Sequence, residues 1–392
     1  MPLDHPDTVV AHDQMWTYGG AERVALHLGA ALDVPVYTTY AGETARDAAA
    51  DLGVDLRAFA QDRYGGLGRW RRVEGFKSAA LTLDWQTAPL DEFDLIVSAH
   101  MFTRQYRTLD HQYLINYCHS PPRWLNDLLG HRLSSLPEAA RSPAKAYVAG
   151  MDLLDARSAD RVDAFVANSE VIRDRIRRYY RRDATVIHPP IDTEGITPAR
   201  SEGDYYLMVG RVVEAKRPAT VVDAFARTDA TLKVAGTGDN EPLVGESTYE
   251  RVRARAGDNV EFLGYVSDER KRELLRNATA VVYIPIREDF GMVPIEALAA
   301  GTPVIAANEG FPAVAVDDGE TGAVVEPTVA GVLDGIERVE AGTFDPERLA
   351  AVAARYDTET FRERVRTAVA NFAADPDRYR RGDESLLDAG DD

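Results

Sequence analysis

Two carboxylates, Glu288 and Glu296, flank the middle of the stretch REDFGMVPIEALAAGTPVIAA, residues 287–307. Gly291 and Pro294 fall between them, and an apolar run follows. Glu288 and Asp289 read as loop. Gly291 allows close approach of backbone, and Pro294 suits the first turn of a helix that runs through IEALAA to Gly301. The backbone amides near Met292 and Val293 are then unpaired donors at a helix N-terminus, which is a site for an anion such as phosphate. Glu296 is too negative to be a ligand of that anion. It is better used to accept hydrogen bonds from paired hydroxyls, as a ribose offers, and Glu288 can do the same for another polyol. Arg211 and Lys216 add positive charge suited to a diphosphate. The ligand these residue types describe together is sugar–diphosphate–nucleoside.

Other candidates share one kind of position. In parallel α/β sheets, ligands sit beyond the carboxyl ends of strands. Gly19 and Gly20 follow a first strand, His100 and His119 end two more, and Gly236 and Gly238 follow another. Each also has an ordinary reading. The acids may simply complement a helix dipole, and the glycine pairs may simply be turns. His119 ends its strand beside a Pro-Pro turn, which favours a working role over a core one. His188 reads as structural. Cys118 and His119 are adjacent in a strand and so point to opposite faces, which argues against a nucleophile–base pair. Cys118 then reads as a small buried apolar side chain.

The elements that must hold these residues alternate. DTVVAHD (7–13), FDLIVSAH (93–100), QYLINYCH (112–119), AFVANSE (164–170) and TVIHPPID (185–192) read as strands in the first half. YYLMVG (205–210), TLKVAGTG (231–238), VEFLGYV (260–266), TAVVYIP (279–285) and TPVIAA (302–307) form a second series. Strand–helix alternation gives parallel sheets covered on both faces, so an α/β chain of two lobes with a cleft between is expected. Prolines and acids near 189–203 mark the linker.

Composition sets limits. The chain has 392 residues, 45% of them hydrophobic, enough for two cored domains. No window is apolar enough to span a membrane, and the N-terminus lacks a basic-then-apolar leader, so neither a span nor a signal peptide is expected. The single cysteine, Cys118, excludes an internal disulfide and fits a reducing cytoplasm. The net charge is -19, and lysines number only five. An acidic, lysine-poor chain suits high internal salt, as in a halophilic archaeon, and gives no support to nucleic-acid binding. The charge is uneven, net -5 over residues 1–195 and -14 over 196–392. The milder half carries two basic-aromatic runs, 63–77 and 172–183. The second reads as a solvated helix face. The first, with Trp70 and Phe76 among cations, reads as a candidate for peripheral contact with an anionic membrane.

The element EDFGMVPIE (288–296) with ALAAGTPVIA after it resembles the signature of retaining glycosyltransferases of family 4, which have the GT-B fold. YGGAERV (18–24), YCHSPPRWL (117–125), VANSEVIRDRIRRYY (166–180), VIHPPID (186–192) and VGRVVEAKRP (209–218) match in the same order. The YCHSPPRW and VIHPPID variants look most like mannosyltransferases that build lipid-linked or surface glycans.

The resemblance implies a GT-B chain of two Rossmann-like domains with parallel sheets facing across a cleft. Residues 1–198 would form the acceptor domain and 199–355 the nucleotide-sugar domain. A helix over 356–376 would pack back on the first domain, and 377–392 would be an acidic, frayed tail. It implies transfer of a hexose, such as mannose, from a nucleotide sugar to a glycan or lipid-linked acceptor, in the cytoplasm or at the inner face of the membrane. Glu288 would contact donor-sugar hydroxyls and Glu296 the ribose, while Arg211 and Lys216 would hold the diphosphate as it leaves. Phe290, Gly291 and Met292 would present amides near sugar and phosphate, with Val293 in the same helix end. Gly19, Gly20 and Gly236 would border the donor, and His119 the transferred sugar. The family is thought to use front-face attack, in which the leaving phosphate takes the acceptor proton and no covalent nucleophile forms. No cofactor and no metal are expected. Competing readings are another GT-B activity such as a nucleotide-sugar epimerase, and a sugar-nucleotide-binding module without catalysis. A nicotinamide dehydrogenase fits less well, because no G-x-G-x-x-G follows the first strand.

Overall fold

The computed structural model describes residues 3, 6–66, 74–126, 129, 138–193, 196–199, 203–238, 247–380 and 385–387. The chain divides into two units, Met1–Pro190 with Glu359–Asp392, and Ile191–Thr358. The basic-aromatic candidate Trp70, with Arg71 and Arg72 beside it, lies outside the described residues, as does the side chain of Phe76.

The first unit is built on seven parallel strands. They are β1 (Thr8–His12), β2 (Val36–Thr38), β3 (Leu56–Ala58), β4 (Leu95–Ser98), β5 (Tyr113–Cys118), β6 (Ala164–Ala167) and β7 (Thr185–Val186). Their order across the sheet is β3-β2-β1-β4-β5-β6-β7. The central strands are buried on both faces, which is why they read as near-continuous apolar runs rather than alternating ones. Ala11, Ser98 and Asn116 lie level across β1, β4 and β5.

The second unit repeats the plan with six parallel strands. They are β8 (Tyr205–Val209), β9 (Thr231–Ala235), β10 (Val260–Gly264), β11 (Ala280–Tyr283), β12 (Val304–Ala307) and β13 (Gly322–Val325), in the order β10-β9-β8-β11-β12-β13. In each unit the strand order reverses once, between β1 and β4 and between β8 and β11. Two helical crossovers leave in opposite directions there and open a crevice at the carboxyl ends of the strands.

The passage from the first unit to the second falls at Pro190–Ile191, inside the 189–203 linker read from the prolines and acids and ahead of the 198/199 division of the domains. Backbone bonding explains it. The Ile191 amide donates to the Tyr356 carbonyl at 2.9 Å, and the Thr358 hydroxyl donates to the Ile191 carbonyl at 3.2 Å.

The helix Thr358–Ala374 then returns to the first unit. Phe361, Val365, Ala368 and Phe372 recur at helical spacing and are buried in one core with Leu28, Val97, Ile115 and Tyr117. The stretch expected to fray does not do so throughout. Leu386 and Leu387 are buried in that same core, and the Leu386 amide donates to Thr185 Oγ1 at 2.7 Å while its carbonyl accepts from Asn371 Nδ2. Two leucines among acids are enough to anchor the segment. Among the described residues, no helix is long and apolar enough to cross a membrane.

The run 172–183 is structural rather than solvated throughout. Ile172 and Ile176 of the helix Glu170–Tyr180 are buried in the core with Phe165 and Val186, and Arg173 and Arg177 both grip Asp183. Tyr180 caps a buried ion pair. Arg104 Nη2 lies 2.5 Å from Asp155 Oδ1, and the Tyr180 hydroxyl donates to Asp155 Oδ2 at 2.7 Å. This network pins the segment just after β4.

Leu386 borders a small apolar void of about 20 Å³ with Tyr117 and Val365. Leu386→Ala should enlarge it and cost about 2–4 kcal/mol. Urea unfolding followed by circular dichroism checks this, and an unchanged midpoint would mean that the segment does not dock.

Candidate functional site

The crevice of the second unit collects most of the residues singled out in the sequence. Its centre is Lys216, which ends the short 3-10 turn Glu214–Lys216 after β8. Its Nζ lies 2.6 Å from Glu288 Oε2 and donates to the Tyr283 hydroxyl at 2.9 Å. The same ammonium sits 4.9 Å from the centroid of the Tyr283 ring. Tyr283 ends β11 and is buried. Burial first, and then the charge and hydrogen bond of Glu288, push its hydroxyl well above the ordinary phenol range, so it stays protonated. The sequence expectation placed Lys216 on a diphosphate and Glu288 on a sugar. In the structure they hold each other.

Glu296 lies in the helix Met292–Ala299 and is nearly buried. Its Oε1 accepts from Lys271 Nζ at 2.9 Å, and Lys271 also lies 3.3 Å from Asp268. Glu296 Oε2 is buried without a hydrogen-bond partner among the described residues. A buried carboxylate oxygen left so is costly, and an incoming donor relieves it. The helix itself starts after Gly291 with no side-chain cap, and Met292 and Val293 are its first two residues. Phe290 turns inward, stacked on Phe311 with ring centroids 4.6 Å apart. Its ring is thus a packing element, and only its backbone can serve a ligand.

Glycines set the loop geometry at two points. Gly236, just after β9, has φ +145°, and a Cβ there would lie 1.9 Å from the Gly210 carbonyl oxygen. The loops after β8 and β9 therefore touch backbone to backbone. Gly291 has φ +80°, and a Cβ would come within 2.9 Å of the Tyr283 ring. Arg217, which sequence reading passed over, braces the same loops. Its Nη1 donates to the carbonyls of Ile284 and Pro285 at 3.0 Å each, and Nη2 lies 2.6 Å from Glu309 Oε1. Arg211 shares the loop of Lys216 and is exposed.

His119, Gly19 and Gly20 belong to the first unit and form a separate locality. Gly19 caps the helix Gly20–Leu32 with φ −113°, a conformation open to any residue, and its amide donates to Glu22 Oε2 at 3.2 Å. His119 follows β5, and the crevice brings it beside two other imidazoles. The ring centroids of His12 and His100 are 5.6 Å apart, those of His100 and His119 6.4 Å, and those of His12 and His119 6.5 Å. Burial, then the charge of His100, holds both His12 and His119 down to about 3, so both are uncharged at neutral pH. Asp13 contacts His100 Nδ1. His12 and Asp13 went unread because they close a strand that looked complete as core. The available signal was positional, since all three histidines end neighbouring parallel strands. His188 pairs with Glu170 at 3.4 Å, and Cys118 is buried, as expected of structural residues.

Two α/β units with reversed strand order and glycine-shaped loops at the switch points define the GT-B fold. Solved structures agree. The Anabaena protein HepE in complex with UDP superposes with a TM-score of 0.68 at 18% identity, over 93% of this chain and 99% of that one. Sucrose-phosphate synthase from Thermosynechococcus elongatus gives 0.64 at 19% identity, over 95% and 97%. At sequence level, residues 191–355 match the family model described as glycosyl transferases group 1. That segment holds the Lys216, Glu288 and Glu296 loops. Among relatives, the alpha-1,3/1,6-mannosyltransferase of Saccharomyces cerevisiae is 26% identical over 236 residues, 48% of this chain and 44% of that protein. The D-inositol 3-phosphate glycosyltransferase of Streptomyces avermitilis is 29% identical over 214 residues, 46% and 45%. The match thus spans less than half the length of either relative.

Gly291→Ala should cost about 1–3 kcal/mol, from the left-handed backbone and the contact with Tyr283. Calorimetric unfolding measures it. A variant as stable as the parent would show that the turn does not need the glycine.

Proposed function

We propose that the chain is a retaining glycosyltransferase that moves a hexose from a nucleotide-diphosphate sugar to a glycan or lipid-linked acceptor. Mannose is the first sugar to test, because the matched yeast and human relatives are named mannosyltransferases. The observation that carries the reading is the Lys216–Glu288–Tyr283 contact beside an uncapped helix N-terminus. A diphosphate at that helix end would meet unpaired amides and two cations, Lys216 and Arg211. It would compete with Glu288 for the Lys216 ammonium and so release that carboxylate towards sugar hydroxyls. The orphan Oε2 of Glu296 supports a second hydroxyl site, suited to a ribose. Catalysis then rests on stabilising the diphosphate as it leaves, an electrostatic effect of fixed donors.

The chain's own cations supply the positive potential, so we expect turnover to persist in EDTA. Peripheral contact with an anionic membrane belongs to the same reading. Liposome flotation of wild type against the pair Arg71→Glu, Arg72→Glu at matched salt tests that part, and equal flotation would count against it.

A thermal-shift screen of UDP-, GDP- and ADP-sugars should single out one base through an upward shift in Tm. With that donor, Arg211→Ala or Lys216→Ala should lower kcat by roughly two to three orders of magnitude. Folded variants with near-parental turnover would remove the assignment. Product analysis with and without acceptor separates transfer from epimerisation.

A further inference from the structure

The carboxylate of Glu296 is held through one oxygen only. Oε1 accepts from Lys271 Nζ at 2.9 Å, while Oε2 is buried with no hydrogen-bond partner among the described residues. The Glu296 side chain is 10% exposed and that of Lys271 18%. Lys271 lies in the helix Asp268–Asn277, which Ser267 caps by accepting from the Arg270 amide at 3.2 Å. One turn on, Leu275 is buried, and its carbonyl accepts at 2.6 Å from the hydroxyl of Thr302, just past the helix Met292–Ala299. Lys271 and Leu275 are four residues apart and so share one helix face. Both contacts place that face against the helix that carries Glu296. Arg270 and Arg272, on the same helix, pair instead with Glu273 and Asp192 through half-exposed side chains.

A strut between two helices does not account for this arrangement. Thr302 and Leu275 already join them. A pair made only to hold them together would not strand one oxygen of a nearly buried carboxylate, because an unmet buried acceptor costs free energy and native structures rarely keep one. Asp268 lies 3.3 Å from the same ammonium, but it is 64% exposed and water can serve it. Glu296 has no such alternative. Without Lys271 it would be a nearly buried charge standing alone. With Lys271 it is fixed at Oε1 and keeps Oε2 as an acceptor for a donor that arrives with the ligand.

We infer that Lys271 is a positioning residue for ribose recognition, acting through Glu296, and that the pair makes the second unit select a ribonucleotide over a deoxyribonucleotide. The inference rests on the transferase reading, which puts a ribose at Glu296, and deepens it by naming the residue that fixes the carboxylate. The selection works by exclusion as much as by attraction. A hydroxyl that donates to Oε2 satisfies it. A sugar lacking that hydroxyl leaves the oxygen buried and unmet, so the penalty is not relieved. No covalent bond is made or broken, and Asp268, Lys271 and Glu296 all lie within the second unit.

The test uses the full chain with UDP, GDP and ADP, each beside its counterparts lacking one or the other ribose hydroxyl, and reads affinity by isothermal titration. For the nucleotide that binds, loss of the hydroxyl that meets Oε2 should weaken binding to the wild type by roughly 10- to 100-fold. Lys271→Met keeps the stem and removes the charge. It should collapse that ratio towards one, and its loss in transfer should fall on KM for the donor rather than on kcat. Lys271→Arg restores a cation and should recover most of the ratio. Arg270→Met, the same charge change on the exposed side of the helix, should leave the ratio as in the wild type. In a Glu296→Gln background, Lys271→Met should lower the ratio no further, because it acts through the carboxylate. That neutral pair strands no charge, so it carries the test if Lys271→Met alone does not fold. A Lys271→Met chain that binds both forms less tightly by one common factor overturns the inference and leaves transfer standing. So does a further fall in the ratio in the Glu296→Gln background, and so does a wild type that binds both forms equally. A wild type that binds none of the three nucleotides removes the transferase reading and this inference with it. A wild type that shows the ratio yet turns over no sugar removes transfer and leaves the selection standing.

Discussion

An ammonium and a carboxylate 2.6 Å apart, with side chains 19% and 22% exposed, govern the second unit. Removing two charges from water costs several kcal/mol each, and their attraction repays that only with good geometry and further hydrogen bonds. Lys216 and Glu288 have such help. Tyr283 accepts one ammonium proton beneath the cation, and the Glu288 backbone is tied by the Phe311 amide at 3.0 Å. The pair therefore constrains three loops at once, those after β8, β11 and β12. Arg217 extends the constraint by joining the Lys216 loop to the carbonyls that follow β11 and to Glu309. The loops cannot be moved apart without exposing one charge and stranding the other.

This constraint explains where glycine is required and where it is not. Gly291 sits at φ +80° with Tyr283 and Glu288 inside the reach of a Cβ, and Gly236, at φ +145°, meets the Gly210 backbone where the loops after β9 and β8 touch. Gly19 has an ordinary backbone and a flexible glutamate as its neighbour. The same residue type in the same kind of position, after a strand and before a helix, thus records two different facts. One is a packing necessity of the crevice, and the other is the local start of a helix.

Much of this was legible without coordinates, for identifiable reasons. The long apolar strands and the Pro294 helix start announce themselves, because burial on both faces and helix-end chemistry leave local marks. The short strand β2 and the edge strand β3 beside it went unread: each is three residues long, and Leu56 and Ala58 of β3 are only partly buried. The core role of Leu386 was equally hidden, since two leucines in an acidic tail look like nothing until a helix from the same terminus provides their groove. At the site, Lys216 and Glu288 were found individually, but their contact was not. A contact across 72 residues has no local signature, and it reassigns both side chains from ligand-ready groups to partners of each other.

The two crevices show how one fold carries two chemistries. Both lie at the point where strand order reverses, and both use the residues that end the central strands. The second unit fills that place with charged side chains that fall into pairs, Lys216 with Glu288 and Lys271 with Glu296. The first fills it with imidazoles, which respond to burial by staying neutral, as His12 and His119 do. Among the described residues of that cluster, His100 is the one in contact with a carboxylate, and it is drawn towards protonation. A crevice of paired charges suits an ion that can exchange partners with them. Histidine is the one side chain whose ordinary titration range lets a neighbour shift its charge state. For His100 that neighbour is Asp13, and the amides of Phe102 and Thr103 keep it in place.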